Sequence, residues 1–159
     1  MKTLSIISAL CGIAFMGAAS AANITVYYSP TCPHCHHARD FISSTLIYEY
    51  PMLQVTEVNV MNGVNRPKFE ETLKKCEYES GGVPVLVIGE KCFQGYGDGM
   101  QDDLRAAVEV DLDDTAKTTA AENKKAMIED AEAFRNAHAD TKGTISEYTA
   151  ASEDAAKKK

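Results

Sequence analysis

This chain of 159 residues has no apolar run long enough to cross a membrane as a helix, no surplus of positive charge and no internal repeat. A spanning helix needs about 20 apolar residues. The stretch from Leu4 to Met16 is shorter than that and is broken only by small residues. It follows the short positive segment Met1-Lys2-Thr3, and the small residues Ala18 to Ala22 come soon after it, with Ala19 and Ala21 at the spacing of a cleavage site. These are the marks of a secretory leader, removed near Ala21. Cys11 lies inside that leader, behind Leu10 rather than a small residue, and is read as discarded rather than lipidated. Lysine and arginine number 16 against 23 aspartates and glutamates, a formal charge of −7 that becomes −8 once Lys2 leaves with the leader. So acidic a chain is a poor match for nucleic acid or an anionic membrane surface. The expectation is a periplasmic or secreted protein with no membrane anchor and no nucleic-acid partner.

Cysteine is scarce, but what remains is arranged. The mature chain keeps Cys32, Cys35, Cys76 and Cys92, which allow three pairings, in a compartment where disulfides persist. Two of them fall in Thr31 to His37, which reads TCPHCHH. Asn23 to Ser29 is rich in β-branched and aromatic residues and reads as a strand. From Pro33 to about Tyr48, Ala38, Phe41, Ile42, Thr45 and Leu46 recur at helical spacing. Pro33 suits the first helical position, which needs no N–H. The cysteine motif therefore lies at a strand-to-helix junction, with Cys32 at the helix N-terminus.

Further along, Leu53 to Val60 reads as a second strand, and Pro67 opens a helix with Phe69, Leu73 and Cys76 on one face. Val83 to Gly89 is a continuous apolar run, as in a strand covered on both sides. Gly89-Glu90 then turns the chain into a short last strand, and Met100, Leu104, Ala107 and Val108 mark a final helix. The order βαβ-α-ββα implies an α/β fold: a four-stranded mixed sheet with helices on both faces, the first pair parallel and the last antiparallel. Residues 1–21 are the leader, 22–110 this domain, and 111–159 a charged, alanine-rich extension without cysteine. In that extension Thr119 to Glu122 has a capping-box pattern, and Met127, Ala131 and Phe134 form a thin apolar stripe that Gly143 would stop. A loosely docked or free helix with a disordered end is expected.

CPHC after a strand, with Val83-Pro84 opening a later strand, resembles the thioredoxin superfamily over about Ile24 to Val110. The short step from Cys35 to Pro84 is similar to that of glutaredoxins, whereas the tetrapeptide is like that of periplasmic disulfide oxidases. The resemblance implies a thiol–disulfide oxidoreductase with no cofactor, a cis Pro84 beside the thiols, and a Val83 backbone that pairs with an extended substrate peptide. It implies cysteine-containing exported proteins as substrates and an unidentified redox partner that recycles the pair. Glutathione stays open as a ligand. Asp102 or Asp103 is placed to meet its amine, but Ser29-Pro30-Thr31 lacks the basic residue glutaredoxins carry before CxxC, and their double glycine is lost. Val26 stands where thioredoxins carry a buried acid, so no carboxylate shuttle is expected there.

The chemistry has its own logic. The thiolate is the nucleophile, a free thiol has a pKa near about 8.5, and a helix N-terminus favours the anion. Cys32 is the expected attacking sulfur and Cys35, one turn inward, the resolving one. His34 adds a donor or a charge, and Pro33 stiffens the junction. A stabilised thiolate favours the reduced form, which makes the disulfide the stronger oxidant. As a mere staple, a bridge closing so short a loop constrains little of the unfolded chain. A copper or zinc site built from Cys32, Cys35 and a histidine is the alternative. However, His36 and His37 are adjacent on a helix and so point about 100° apart, and His138 lies far off in the extension. A redox-inactive interaction module is a third reading. Cys76 and Cys92 are either a second, structural disulfide or two buried thiols. Tyr27, Tyr28 and Phe93 read as core or rim, and Tyr96 as a groove or loop aromatic.

Overall fold

The computed structural model describes residues 22–149. The leader, its cleavage site, Cys11 and the end of the extension lie outside the described residues. Strand β1 (Asn23–Tyr28) leads through a turn into helix α1 (Pro33–Phe41). A π turn (Ile42–Leu46) and a short helix α2 (Ile47–Glu49) carry the same helical path onward. The π turn has a local cause, because Ser43 and Ser44 both turn their hydroxyls back to the Asp40 carbonyl, at 3.3 and 2.6 Å. Such back-bonding competes with the regular ladder and loosens it. Strand β2 (Gln54–Asn59), helix α3 (Arg66–Lys75), strands β3 (Val85–Ile88) and β4 (Lys91–Gln94) and helix α4 (Gln101–Glu109) follow. Gly89, at φ 56, supplies the left-handed residue that the β3–β4 turn requires.

The sheet runs β4-β3-β1-β2-β5. β1 and β2 are parallel, β3 is antiparallel to β1, and β4 is antiparallel to β3. These four strands have the parallel first pair and antiparallel last pair expected from the order of elements. Alternation divides their side chains between two faces. On one face Ile24, Val26, Val55, Leu86 and Ile88 pack with Ala38, Phe41, Ile42, Leu104 and Val108 from α1, its continuation and α4. On the other, Tyr27, Val58 and Val85 pack with Phe69. Each fully buried aliphatic side chain contributes about 1.5–3 kcal/mol, so the two clusters orient α1 firmly on the sheet.

Among the described residues the sheet has five strands rather than the four expected. Strand β5 (Thr144–Glu147) comes from the extension and pairs parallel to β2, with Val55 opposite Ile145. The extension's helix α5 (Asp114–Ala137) is docked rather than loose: Ala120 and Met127 are buried, and Ala131 and Phe134 pack behind them. Asn123 donates to the carbonyls of Tyr48 and Glu49 at 3.3 and 3.2 Å, which satisfies the open end of α2. The helix starts five residues before the Thr119 pattern, because Asp113 accepts the Ala116 N–H and caps it. It bends at Asp130, whose backbone leaves the helical range and whose carboxylate takes the Ala133 N–H. Gly143 does not stop the helix, which ends at Ala137. It lets the chain pass the α2–β2 turn, where a Cβ would stand 2.5 Å from the Leu53 carbonyl oxygen.

A half-buried ion pair fixes α4 to α2. Arg105 grips Glu49 with two hydrogen bonds of 2.7 and 2.9 Å, and the Glu49 side chain is only 3% exposed. That bond holds the guanidinium pKa above its ordinary value. Removing Arg105 would leave the Glu49 carboxylate buried without its cation, whereas Arg105 keeps Asp102 if Glu49 is removed.

Candidate active site

Cys32 is the N-cap of α1, with Pro33 at the helix start. Its Sγ accepts the Cys35 N–H at 3.2 Å, and its carbonyl accepts the His36 N–H. A cysteine thus takes the place that serine or aspartate commonly fills. A neutral sulfur is a weak acceptor there; a thiolate is a strong one, and the helix N-terminus favours its charge. Cys32 and Cys35 are joined as a disulfide, with Cα atoms 5.2 Å apart. Cys32 is half-buried and Cys35 is 1% exposed, so a partner can reach only the first sulfur freely.

Val83-Pro84 is a cis peptide, and the Val83 carbonyl oxygen lies 3.6 Å from Cys32 Sγ. In the disulfide that sulfur has no proton; a Cys32 thiol at this place would donate to the carbonyl. The structure therefore brings Cys32, Pro33, Cys35, Val83 and Pro84 to one rim of the sheet. His34 and His37 are exposed on α1, while His36 turns its Nε2 to the Pro30 carbonyl at 2.8 Å. Among the described residues no three histidine, cysteine, aspartate or glutamate side chains stand close enough to hold a metal ion. His138 is stacked on Phe134, with ring centroids 4.0 Å apart.

Other residues singled out in the sequence have plainer surroundings. Tyr96 is buried against Phe41 and takes a hydrogen bond from Gln101, and burial raises its phenol pKa. Tyr27 is buried on the second face beside Phe69. Phe93 is partly buried against the main core. Asp102 is exposed and pairs with Arg105 and Lys124 at 3.2 and 3.4 Å. Asp103 is exposed on α4. Cys76 follows α3 as its C-cap rather than lying on its inward face, and it is joined to Cys92 of β4, with Cα atoms 5.8 Å apart.

Two groups near the thiols were not foreseen. Glu57 stands opposite Val26 in the β1–β2 register, on the strand beside the position lacking an acid, and is 6% exposed. It takes two hydrogen bonds from Arg39, one helical turn after Cys35, and these raise the arginine pKa. Arg39 also lies 4.2 Å from the Tyr28 ring centre, and the Tyr28 hydroxyl donates to Glu147 of β5. Burial, reinforced by Glu147, raises the Tyr28 pKa. A glutamate at the same alternation as the inward-facing Val55, in the strand Gln54–Asn59, is the sequence signal for this chain of contacts. The second group is Gln94, at the end of β4. Its side-chain amide donates to the Ser80 and Gly82 carbonyls at 2.9 and 3.1 Å. An apolar cavity of about 300 Å³, lined by Ala22, Tyr50, Leu53, Leu112 and Ala116, lies at the opposite rim, away from the thiols.

No known family profile and no curated protein matches the chain. Among solved structures it is similar to a glutaredoxin from Archaeoglobus fulgidus, with 22% identity and a TM-score of 0.42, over 58% of this chain and 92% of that one. A likeness at that level says nothing of chemistry, which rests on the cysteines and their surroundings.

Proposed function

We propose that this chain is an exported protein thiol–disulfide oxidoreductase, with Cys32 as the exchanging sulfur and Cys35 as the resolving one. The observation that carries the reading is the placement of Cys32: a reachable sulfur at a helix N-terminus, bonded by the Cys35 N–H, with Cys35 buried one turn inward. In the oxidising direction, a substrate thiolate attacks Cys32 Sγ, the Cys32–Cys35 bond breaks, and Cys35 leaves as the thiolate. A second substrate thiolate then attacks the substrate sulfur of the mixed disulfide, and Cys32 leaves. The substrate has lost two electrons and two protons, and the pair has gained them. The reducing direction is the same path reversed, with Cys35 attacking Cys32 to release a substrate dithiol. Pro33 and His34 shape the rim around the reacting sulfur, and the Val83 backbone is the surface on which an extended peptide pairs.

The substrates in this reading are cysteine-bearing proteins of an oxidising compartment, reached after removal of residues 1–21, and a second redox protein recycles the pair. Trapping tests it. A Cys35→Ala variant, expressed with its leader, should accumulate mixed disulfides with exported proteins through Cys32, and the mature chain should begin at Ala22. If no adducts form while the wild-type protein binds stoichiometric copper or zinc, the metal reading replaces this one. The reduction potential gives the direction: near roughly −120 mV the pair oxidises its substrates, and near roughly −270 mV it reduces them.

A further inference from the structure

Val83 can face Cys32 only if the chain leading to it is held. Residues 76–84 form neither helix nor strand, and Gly81 and Gly82 make that stretch soft. What grips it comes from the end of β4. Val85 and Gln94 are register partners, so the β3–β4 ladder fixes Gln94 opposite the first residue of β3. From there one amide nitrogen donates to two carbonyls, those of Ser80 and Gly82. The next residue, Gly95, gives its N–H to the Pro84 carbonyl at 2.7 Å. The grip thus brackets Val83, with Gly82 held on one side and Pro84 on the other. A primary amide suits the task because its nitrogen carries two protons, one for each carbonyl. An ionised carboxylate of the same shape has none and would face two oxygens.

We propose that Gln94 is a positioning residue of this site, holding the Val83 backbone in place for an extended cysteine-bearing peptide. The inference rests on the oxidoreductase reading and adds to it the residue that sets peptide affinity. Gln94 touches neither sulfur, so the exchange chemistry itself does not need it. It matters where a substrate must pair with the Val83 backbone, and it is idle for a small thiol that needs no such pairing.

The test compares two substrates on the wild-type protein and on Gln94→Glu, a change at a half-exposed position of an edge strand. Dithiothreitol reduces the Cys32–Cys35 bond without peptide pairing, whereas a dithiol peptide of extended sequence reduces it with pairing. The expected result is a KM for the peptide raised about tenfold, with kcat at saturation and the dithiothreitol rate within about twofold of wild type. An unchanged peptide KM overturns the proposal. So does an equal loss with both substrates, which marks Gln94 as a general support of the fold. A wild-type protein that dithiothreitol reduces but that exchanges with no peptide brings down the oxidoreductase reading, and this proposal with it.

Discussion

Cys32–Cys35 joins residues three apart at the start of a helix, whereas Cys76–Cys92 joins residues 16 apart and ties the end of α3 to the edge strand β4. Loop entropy alone separates them only modestly. In the chain-entropy model the short bridge stabilises by about 2 kcal/mol and the long one by about 3 kcal/mol. A difference of about 1 kcal/mol is too small to make one pair a reagent and the other a staple. Surroundings must do that. Cys32 has a helix N-terminus, an N–H bond to its sulfur, a buried partner and a facing carbonyl. Cys76 sits at the opposite pole of a helix, as a C-cap after Lys74 and Lys75, where the dipole disfavours a thiolate. The same bond type is thus poised for exchange at one end of a helix and for persistence at the other.

The largest effect should separate the two pairs by activity. Cys32→Ser should lower exchange with a cysteine peptide on the order of a thousandfold or more, because a hydroxyl does not replace a thiolate. Its urea midpoint should move no further than the loss of a short bridge allows. Next comes the reverse dissociation. Replacing Cys76 and Cys92 together by serine should cost about 3 kcal/mol in urea unfolding, while dithiothreitol still reduces Cys32–Cys35 at the wild-type rate. A slowed rate there would show that the long bridge also serves the chemistry.

The comparison is cleanest where the fold itself does not titrate. Tyr50 is buried, donates to Glu109 at 2.6 Å, and has its pKa raised mainly by burial and then by that bond. Its folded pKa exceeds its unfolded value near 10, so the stability it contributes is complete below about pH 10 and is lost as pH rises beyond. Urea midpoints should therefore hold steady from about pH 7 to 9 and fall above 10. In Tyr50→Phe the fall between about pH 9 and 11 should shrink by about 1 kcal/mol. The smallest effect lies beside the long bridge. Lys75 and Glu90 pair at 3.6 Å, both largely exposed, so Lys75→Ala should change stability by under about 0.5 kcal/mol. A larger loss would mean that the covalent tie is not alone in holding α3 to the β3–β4 turn.

What could be read in the sequence was what leaves a local trace. Asn23–Tyr28 and Val85–Ile88 carry their strand character in β-branched and aromatic residues, and Pro33 marks the start of α1. The cysteine motif is local too. Strand β5 left a weaker trace: only Thr144 and Ile145 are β-branched, all four of its residues are exposed, and it exists through backbone pairing with β2 and the missing side chain at Gly143. Thr119 matches a capping pattern, but Asp113 is an equally good cap and its carboxylate is in place. Around the thiols, the Val83 contact spans 51 residues and the Arg39–Glu57 pair 18. Such pairings are set by sheet register, which no run of neighbouring residues encodes. Gln94 is the clearest case, a polar residue at a strand end whose two carbonyl partners lie 14 and 12 residues back.

The direction of β5 has a practical side. β1, β2 and β5 all point the same way, and β1 ends one turn before Cys32, so β5 finishes at the sulfur-bearing rim of the sheet, two strands over from β1, with the Glu147 carboxylate accepting from the Tyr28 hydroxyl. Ala22, by contrast, sits at the far rim by the apolar cavity. A label carried on β5 near Glu147 would therefore sit on the rim that holds the sulfurs. One carried near Ala22 would sit on the opposite rim. Immobilising the molecule through each rim in turn should leave Cys32 unequally open to a thiol in solution.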